Sequence, residues 1–134
     1  MEFLIPEKGK GQPAALKIPS LNITATPLRF LYILGDNPLP VAYQGIEVLV
    51  PAPQAFVLQK LLILSSRTNK DKYNKDLDSI MSISKFIILD PELQRVFIYM
   101  FNSLPKTTRK TILRVLIEID FPFREFVQHL RQQL

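Results

Sequence analysis

Proline is the residue that most limits what this chain can fold into. Eight of the eleven prolines stand at or before Pro53 in a chain of 134 residues. Because proline fixes φ and removes a backbone donor, so dense a stretch excludes long helices and reads as short strands and turns. After Pro53 only Pro91, Pro105 and Pro122 remain, leaving room for helices between them. Charge divides at the same place. Residues 1–53 carry four basic and four acidic groups, whereas residues 54–134 carry thirteen and eight, so the whole net charge of +5 lies in the second part. The expectation is an α+β chain, a single domain or half-domain over 1–134, with short strands and turns over about 1–53 packed on a helical bundle over about 54–134.

Within the first part the pattern predicts strands near 1–6, 14–19 and 45–50. Ile46-Glu47-Val48-Leu49-Val50 is apolar apart from Glu47, which predicts a strand covered on most of both faces. Thr26-Pro27 reads as the opening of a short helix through Leu34, ended by Gly35-Asp36-Asn37-Pro38. The second part predicts five helices. Phe56, Lys60, Ile63, Leu64 and Arg67 share one face, so Lys60 and Arg67 lie two turns apart on it. A break over Thr68–Tyr73 follows, then a helix from about Asn74 to Leu89 with Asp76, Ile80, Ile83 and Ile87 in one stripe. Asp90-Pro91 opens a third helix carrying Val96, Phe97, Met100 and Phe101, which ends near Leu104-Pro105. Thr107–Ile119 and a last amphipathic helix after Phe121-Pro122 complete a small bundle.

Composition removes several kinds of chemistry. There is no cysteine, so thiolate catalysis, disulfides and thiolate-held zinc are excluded, and His129 is the only histidine. No stretch approaches the roughly 18 apolar residues that cross a bilayer. The apolar start turns to Glu7-Lys8-Gly9-Lys10 too early for a signal peptide. The expected setting is cytoplasmic, with no membrane contact.

Several segments carry a resemblance when taken in order. Met1-Glu2-Phe3-Leu4-Ile5-Pro6 precedes the Gly/Lys-rich Glu7-Lys8-Gly9-Lys10-Gly11, and an apolar Pro27-Leu28-Arg29-Phe30-Leu31 follows. Gly45-Ile46-Glu47-Val48-Leu49-Val50-Pro51-Ala52-Pro53 then leads into a helix containing Lys60 and Arg67, and after it comes the pair Lys75-Asp76. This order resembles the closing half of a nucleotidyltransferase-fold domain, of the family related to abortive-infection nucleotidyltransferase toxins, over roughly residues 1–85. The resemblance implies catalytic roles for Lys60, Asp76 and Glu2, the last at the position of an acid on the strand beside an Asp-x-Asp pair. It also implies phosphate contacts by Lys60, Arg67 and Lys75.

That family's chemistry depends on a Gly-Ser turn followed by an Asp-x-Asp strand, whose carboxylates hold Mg²⁺ against a nucleoside triphosphate. No glycine here precedes a serine. Asp76-Leu77-Asp78 and Glu118-Ile119-Asp120 stand in helical patterns, where residues two apart point about 200° away from each other and cannot chelate one ion. The expectation is therefore no metal site and no cofactor in this chain alone, with Mg²⁺ and a nucleoside triphosphate entering only if a complete site is assembled.

Each candidate has a plainer reading beside the functional one. Lys60 is a phosphate ligand, or a lysine that snorkels or pairs with Asp76 across two helices. Asp76 orients Lys60 or meets substrate, or is a first-turn carboxylate favoured by the helix dipole. Arg67 meets phosphate or RNA backbone, or ends its helix in solvent. The basic stretches Arg67–Lys75 and Lys106–Lys110, with Tyr73 for stacking, are candidate nucleic-acid contacts, or simply solvated surface. Two functions follow. One is a nucleotidyltransferase-like C-terminal portion, not catalytic alone, completed by a missing segment, a partner chain or a second copy. The other is a non-enzymatic module that binds protein or nucleic acid through its basic helical half.

Overall fold

The computed structural model describes residues 3–6, 16–21 and 23–134. The fold is α+β, in the order strands then helices. Strands β1 (Phe3–Pro6) and β2 (Leu16–Ile18) occupy the positions the sequence predicts. A third strand, β3 (Ile23–Leu28), lies between them, parallel to β1 and antiparallel to β2. The predicted helix from Thr26 is thus corrected. Thr26 and Pro27 pair with Leu4 and Ile5 in the ladder, and only a single turn, α1 (Leu31–Leu34), is helical. Phe30 takes a left-handed φ of 56° at the joint between strand and turn.

Strands β4 (Leu39–Tyr43) and β5 (Ile46–Val50) form a separate antiparallel hairpin. Gln44 and Gly45 both have positive φ, 49° and 76°. That is the two-residue type I′ geometry whose twist matches the flanking strands. Strand β4 escaped the sequence reading because prolines at 38 and 40 mask its alternation. The expectation for β5 is also corrected, since the hairpin is covered on neither face. Leu39, Val41 and Tyr43 pair with Val50, Val48 and Ile46, so all six share one side of the ribbon. Tyr43 and Ile46 are each 65% exposed, and Leu49, on the opposite side, is exposed as well.

The five helices of the second part appear as α2 (Pro53–Leu64), α3 (Lys70–Ile88), α4 (Pro91–Ser103), α5 (Lys106–Glu118) and α6 (Arg124–Gln132). Helix α2 is the axis of the bundle and packs against α1, α3, α4 and α5. Ala55, Val57, Leu58, Leu61, Leu62 and Leu64 are all buried, and a helix apolar all round belongs inside a core. Its two buried glutamines find carbonyls: Gln54 Nε2 donates to Leu93 O at 3.2 Å and Gln59 Nε2 to Arg29 O at 3.1 Å. Helix α3 starts four residues before the predicted Asn74. The side chain of Asn69 caps it by accepting from Lys72 N at 3.0 Å, so most of the expected loop is helix. Asp90 caps α4 in the same way, accepting from Glu92 N at 2.9 Å, with Pro91 in the first turn. Among the described residues no helix is long and apolar enough to cross a membrane.

The turn from α5 to α6 is a Schellman motif. Phe121 N donates to Leu116 O and Asp120 N to Ile117 O, each at 3.0 Å, and buried Phe121 and Leu116 supply the apolar contact that accompanies this cap. Asp120 holds the left-handed position with φ 48°, which glycine occupies without a Cβ penalty. Asp120→Gly is therefore expected to stabilise the chain by about 0.5–1 kcal/mol. An urea midpoint moving upward at unchanged slope checks this, and a downward move contradicts it.

Candidate functional site

Lys60 occupies a position in α2 whose neighbours along the helix are nearly all buried. Its ammonium leaves the core at the α2–α3 boundary, where Nζ donates to Asp76 Oδ1 at 2.8 Å. Nζ also stands 5.4 Å from the centroid of the Phe56 ring, one turn earlier on the same helix, a distance at which ring and cation attract. Arg67, just beyond the end of α2, donates from Nε to the other carboxylate oxygen, Asp76 Oδ2, also at 2.8 Å. One carboxylate thus bridges two cations, one oxygen to each. The Asp76 side chain is 7% exposed, against 22% for Lys60 and 28% for Arg67.

This arrangement confirms the expected Lys60–Asp76 pairing across two helices and brings Arg67 into it. It alters the account of Asp76. Because α3 begins at Lys70, Asp76 sits in the second turn rather than the first, beyond the reach of most of the dipole term. The two cations hold its charge instead. Burial alone would raise the Asp76 carboxyl, but the hydrogen bonds from Lys60 and Arg67, and their positive charges, together outweigh that and hold it below the ordinary carboxylate value.

The triad has chemistry to spare on its cationic side. Two positive groups meet one negative, leaving a surplus of one charge. Lys60 has two further N–H donors, and the Nη nitrogens of Arg67 make no hydrogen bond among the described residues. What remains is a partly exposed, fixed pair of donors suited to an oxyanion. A divalent metal fits poorly. Both oxygens of Asp76 are engaged with cations, no described strand carries two carboxylates, and no group of three metal-binding side chains converges among the described residues.

Other candidates stand elsewhere. Lys75 is exposed and makes no ion pair among the described residues; adjacent to Asp76, it projects about 100° away around α3. Glu2 lies outside the described residues. Tyr73 is half-buried against the core rather than free to stack. In the segment Lys106–Lys110, Arg109 is turned inward, its Nη1 donating to Gln133 O at 2.9 Å. Arg67 as the second ligand of Asp76 could have been found from the sequence. Its position two turns after Lys60 on one face already places both on the side that meets α3.

A nucleotidyltransferase family model matches residues 1–87. The chain belongs to the nucleotidyltransferase family. The matched stretch runs from β1 almost to the end of α3 and contains all three members of the triad, whereas α4, α5 and α6 lie beyond it. Comparison with curated proteins and with solved structures yields no match.

The triad generates a prediction on stability. Asp76→Asn leaves two cations without a counter-charge and is expected to destabilise by about 2–3 kcal/mol, below the range for fully buried pairs because both cations reach water. Lys60→Met is expected to cost about 1 kcal/mol, since Arg67 still holds the carboxylate. Since the folded pKa of Asp76 lies below its unfolded value, near 4, its contribution is full above that value and is lost as pH falls through the folded pKa. The gap between wild type and Asp76→Asn in urea unfolding should therefore shrink between about pH 5 and pH 2. A gap independent of pH would mean that ionisation of Asp76 contributes nothing.

Proposed function

We propose that this chain contributes the phosphate-gripping part of a nucleotidyltransferase site and does not transfer nucleotides alone. The observation that carries the reading is the cationic surplus of the Lys60–Asp76–Arg67 triad, inside the stretch that belongs to the family. In this reading the unengaged donors of Lys60 and Arg67 meet the triphosphate of a nucleotide. Asp76 is a positioning residue: it holds both cations in one geometry before ligand arrives, which reduces the ordering cost on binding. Lys75 adds positive charge nearby without direct contact. The carboxylates that hold Mg²⁺ come from a segment or chain bearing a Gly-Ser turn and an Asp-x-Asp strand.

The β4–β5 hairpin supports such completion. A two-stranded hairpin has little stability of its own, and here five of the six residues on its apolar side are exposed, with Val50 half-buried, while each strand has one unpaired edge among the described residues. We infer that the metal-holding segment covers it. A second copy pairing its own hairpin across a two-fold axis is the alternative occupant, and would appear as a concentration-dependent dimer. A cytoplasmic setting and kinship with the abortive-infection toxins belong to the same reading. The rival reading, a non-enzymatic module that binds RNA or protein, draws on exposed Lys70, Lys72 and Lys75 in the first two turns of α3.

The experiment is calorimetric titration of the purified chain with each of the four nucleoside triphosphates and with tripolyphosphate. Binding is expected without Mg²⁺, shared by all four, displaced by tripolyphosphate and weakened about tenfold or more by Arg67→Ala, equivalent to one charge-assisted hydrogen bond. Labelled transfer should be absent for the chain alone. Transfer by the isolated chain that disappears in Lys60→Ala would show that the site is already complete. Equal binding by wild type and Arg67→Ala, or a preference for RNA over triphosphate that depends on Lys70 and Lys72, would favour the rival reading.

A further inference from the structure

Helices α5 and α6, outside the family match, enclose a groove of about 520 Å³. Its walls are two parallel sequence stripes. On α5, Lys110, Leu113, Arg114 and Ile117 recur at i, i+3, i+4 and i+7, and on α6 Arg124, Val127, Gln128 and Arg131 repeat that spacing. Such spacing lines one face of a helix. Two helices presenting adjoining stripes therefore leave a trough shaped for a third. Its floor is apolar, with Leu116 and Phe121 buried beneath and Ile117 63% exposed on the wall.

The charge of the rim is uneven. Four basic residues line the groove, Lys110, Arg114, Arg124 and Arg131, against Glu118 and Asp120, a net of +2. Arg114 lies 3.6 Å from Glu118 and Arg124 lies 3.3 Å from Asp120, so these pairs balance. The surplus belongs to Lys110 and Arg131, which make no ion pair among the described residues. The bond from Arg109 Nη1 to Gln133 O ties the start of α5 to the end of α6. Lys110 and Arg131 consequently stand at the same end of the trough, and Glu118 and Asp120 at the other.

We propose that the α5–α6 groove is a docking site for an amphipathic helix of a partner protein whose acidic residues lie over Lys110 and Arg131. Charge complementarity selects this occupant. A second copy packed across a two-fold axis sets Lys110 and Arg131 against an end whose carboxylates are already paired with Arg114 and Arg124, so it brings them no free acid. A nucleic acid finds two carboxylates on the rim and no exposed aromatic ring on which to stack a base, Phe121 being buried. A helix seating apolar side chains at i, i+3, i+4 and i+7 between the two stripes matches both floor and rim. The site is separate from the Lys60–Asp76–Arg67 triad and does not depend on the function proposed for it.

The test uses a fluorescent, end-blocked helical peptide of about four turns, with leucine at i, i+3, i+4 and i+7 and glutamate on its flanks. A copy with lysine on the flanks, a scrambled copy of the acidic peptide and a uridine oligonucleotide of matched charge serve as comparisons, all followed by anisotropy on the full chain. The acidic peptide is expected to bind about tenfold or more tightly than the other probes. Ile117→Asp should remove that binding, and because Ile117 is largely exposed its thermal unfolding should stay near wild type. The double variant Lys110→Glu with Arg131→Glu should reverse the preference toward the lysine-flanked peptide. Equal binding of acidic and scrambled peptides, a preference unmoved by the charge reversal, failure of the acidic peptide to bind, or a dimer abolished by Ile117→Asp would each overturn the proposal.

Discussion

A lysine placed in a helix that is otherwise buried on nearly every side must find an anion or water at the rim of the core. That constraint organises this molecule. Helix α2 is the element every other helix except α6 packs against, so the position of Lys60 on it is set by the whole apolar packing rather than by local preference. Asp76 answers it from α3, and Arg67 answers Asp76 from the end of α2. The first contact joins α2 to α3, and the second joins the chain that leaves α2 to the same carboxylate. Replacing all three with apolar residues of matched volume would forgo no large net stabilisation, since buried ion pairs roughly break even against hydrophobic contacts. What the charges do contribute is a single geometry with cations left over.

The helical half was legible because its signals are redundant. Asp90-Pro91, Pro105 and Phe121-Pro122 punctuate it, and the apolar residues between them recur with helical period, so Ile80, Ile87, Phe97, Met100, Ile112 and Leu116 were all placed in stripes that the structure buries. The Lys60–Asp76 contact was legible for the same reason, each residue being the charged exception in an apolar stripe. The start of α3 was not. Asn69 is a good cap, but the cluster of Lys70, Asp71 and Lys72 after it reads as a solvated loop when no core contact argues otherwise.

The β-rich half was less legible, for a physical reason. Strand content depends on pairing with residues distant in sequence, so β1 and β2 were placed from their local pattern while β3 and β4 were not. Thr26-Pro27 satisfies the rules for a helix start, yet Thr26 pairs with Leu4 and the helix waits until Leu31. Conversely Ile46–Val50 follows the rule for a strand buried on both faces, yet it is exposed on both. The pattern records what the residues require. The fold of this chain leaves that requirement unmet.

The mismatch bears on where function resides. The apolar side of the β4–β5 ribbon contrasts with the helical bundle, whose core runs without interruption from Ala52 to Leu130. The triad lies on the bundle side of that contrast: Lys60 and Asp76 stand on helices that bury their own apolar faces, and Asp76 holds both cations by hydrogen bonds. The hairpin leads directly into α2 through Pro51-Ala52-Pro53, a short and stiff connection. The exposed apolar side of the ribbon is therefore joined directly to the helix that carries Lys60. Apolar surface without cover and a cationic surplus without a second anion among the described residues thus follow one another in the chain, both within the stretch that the family model matches.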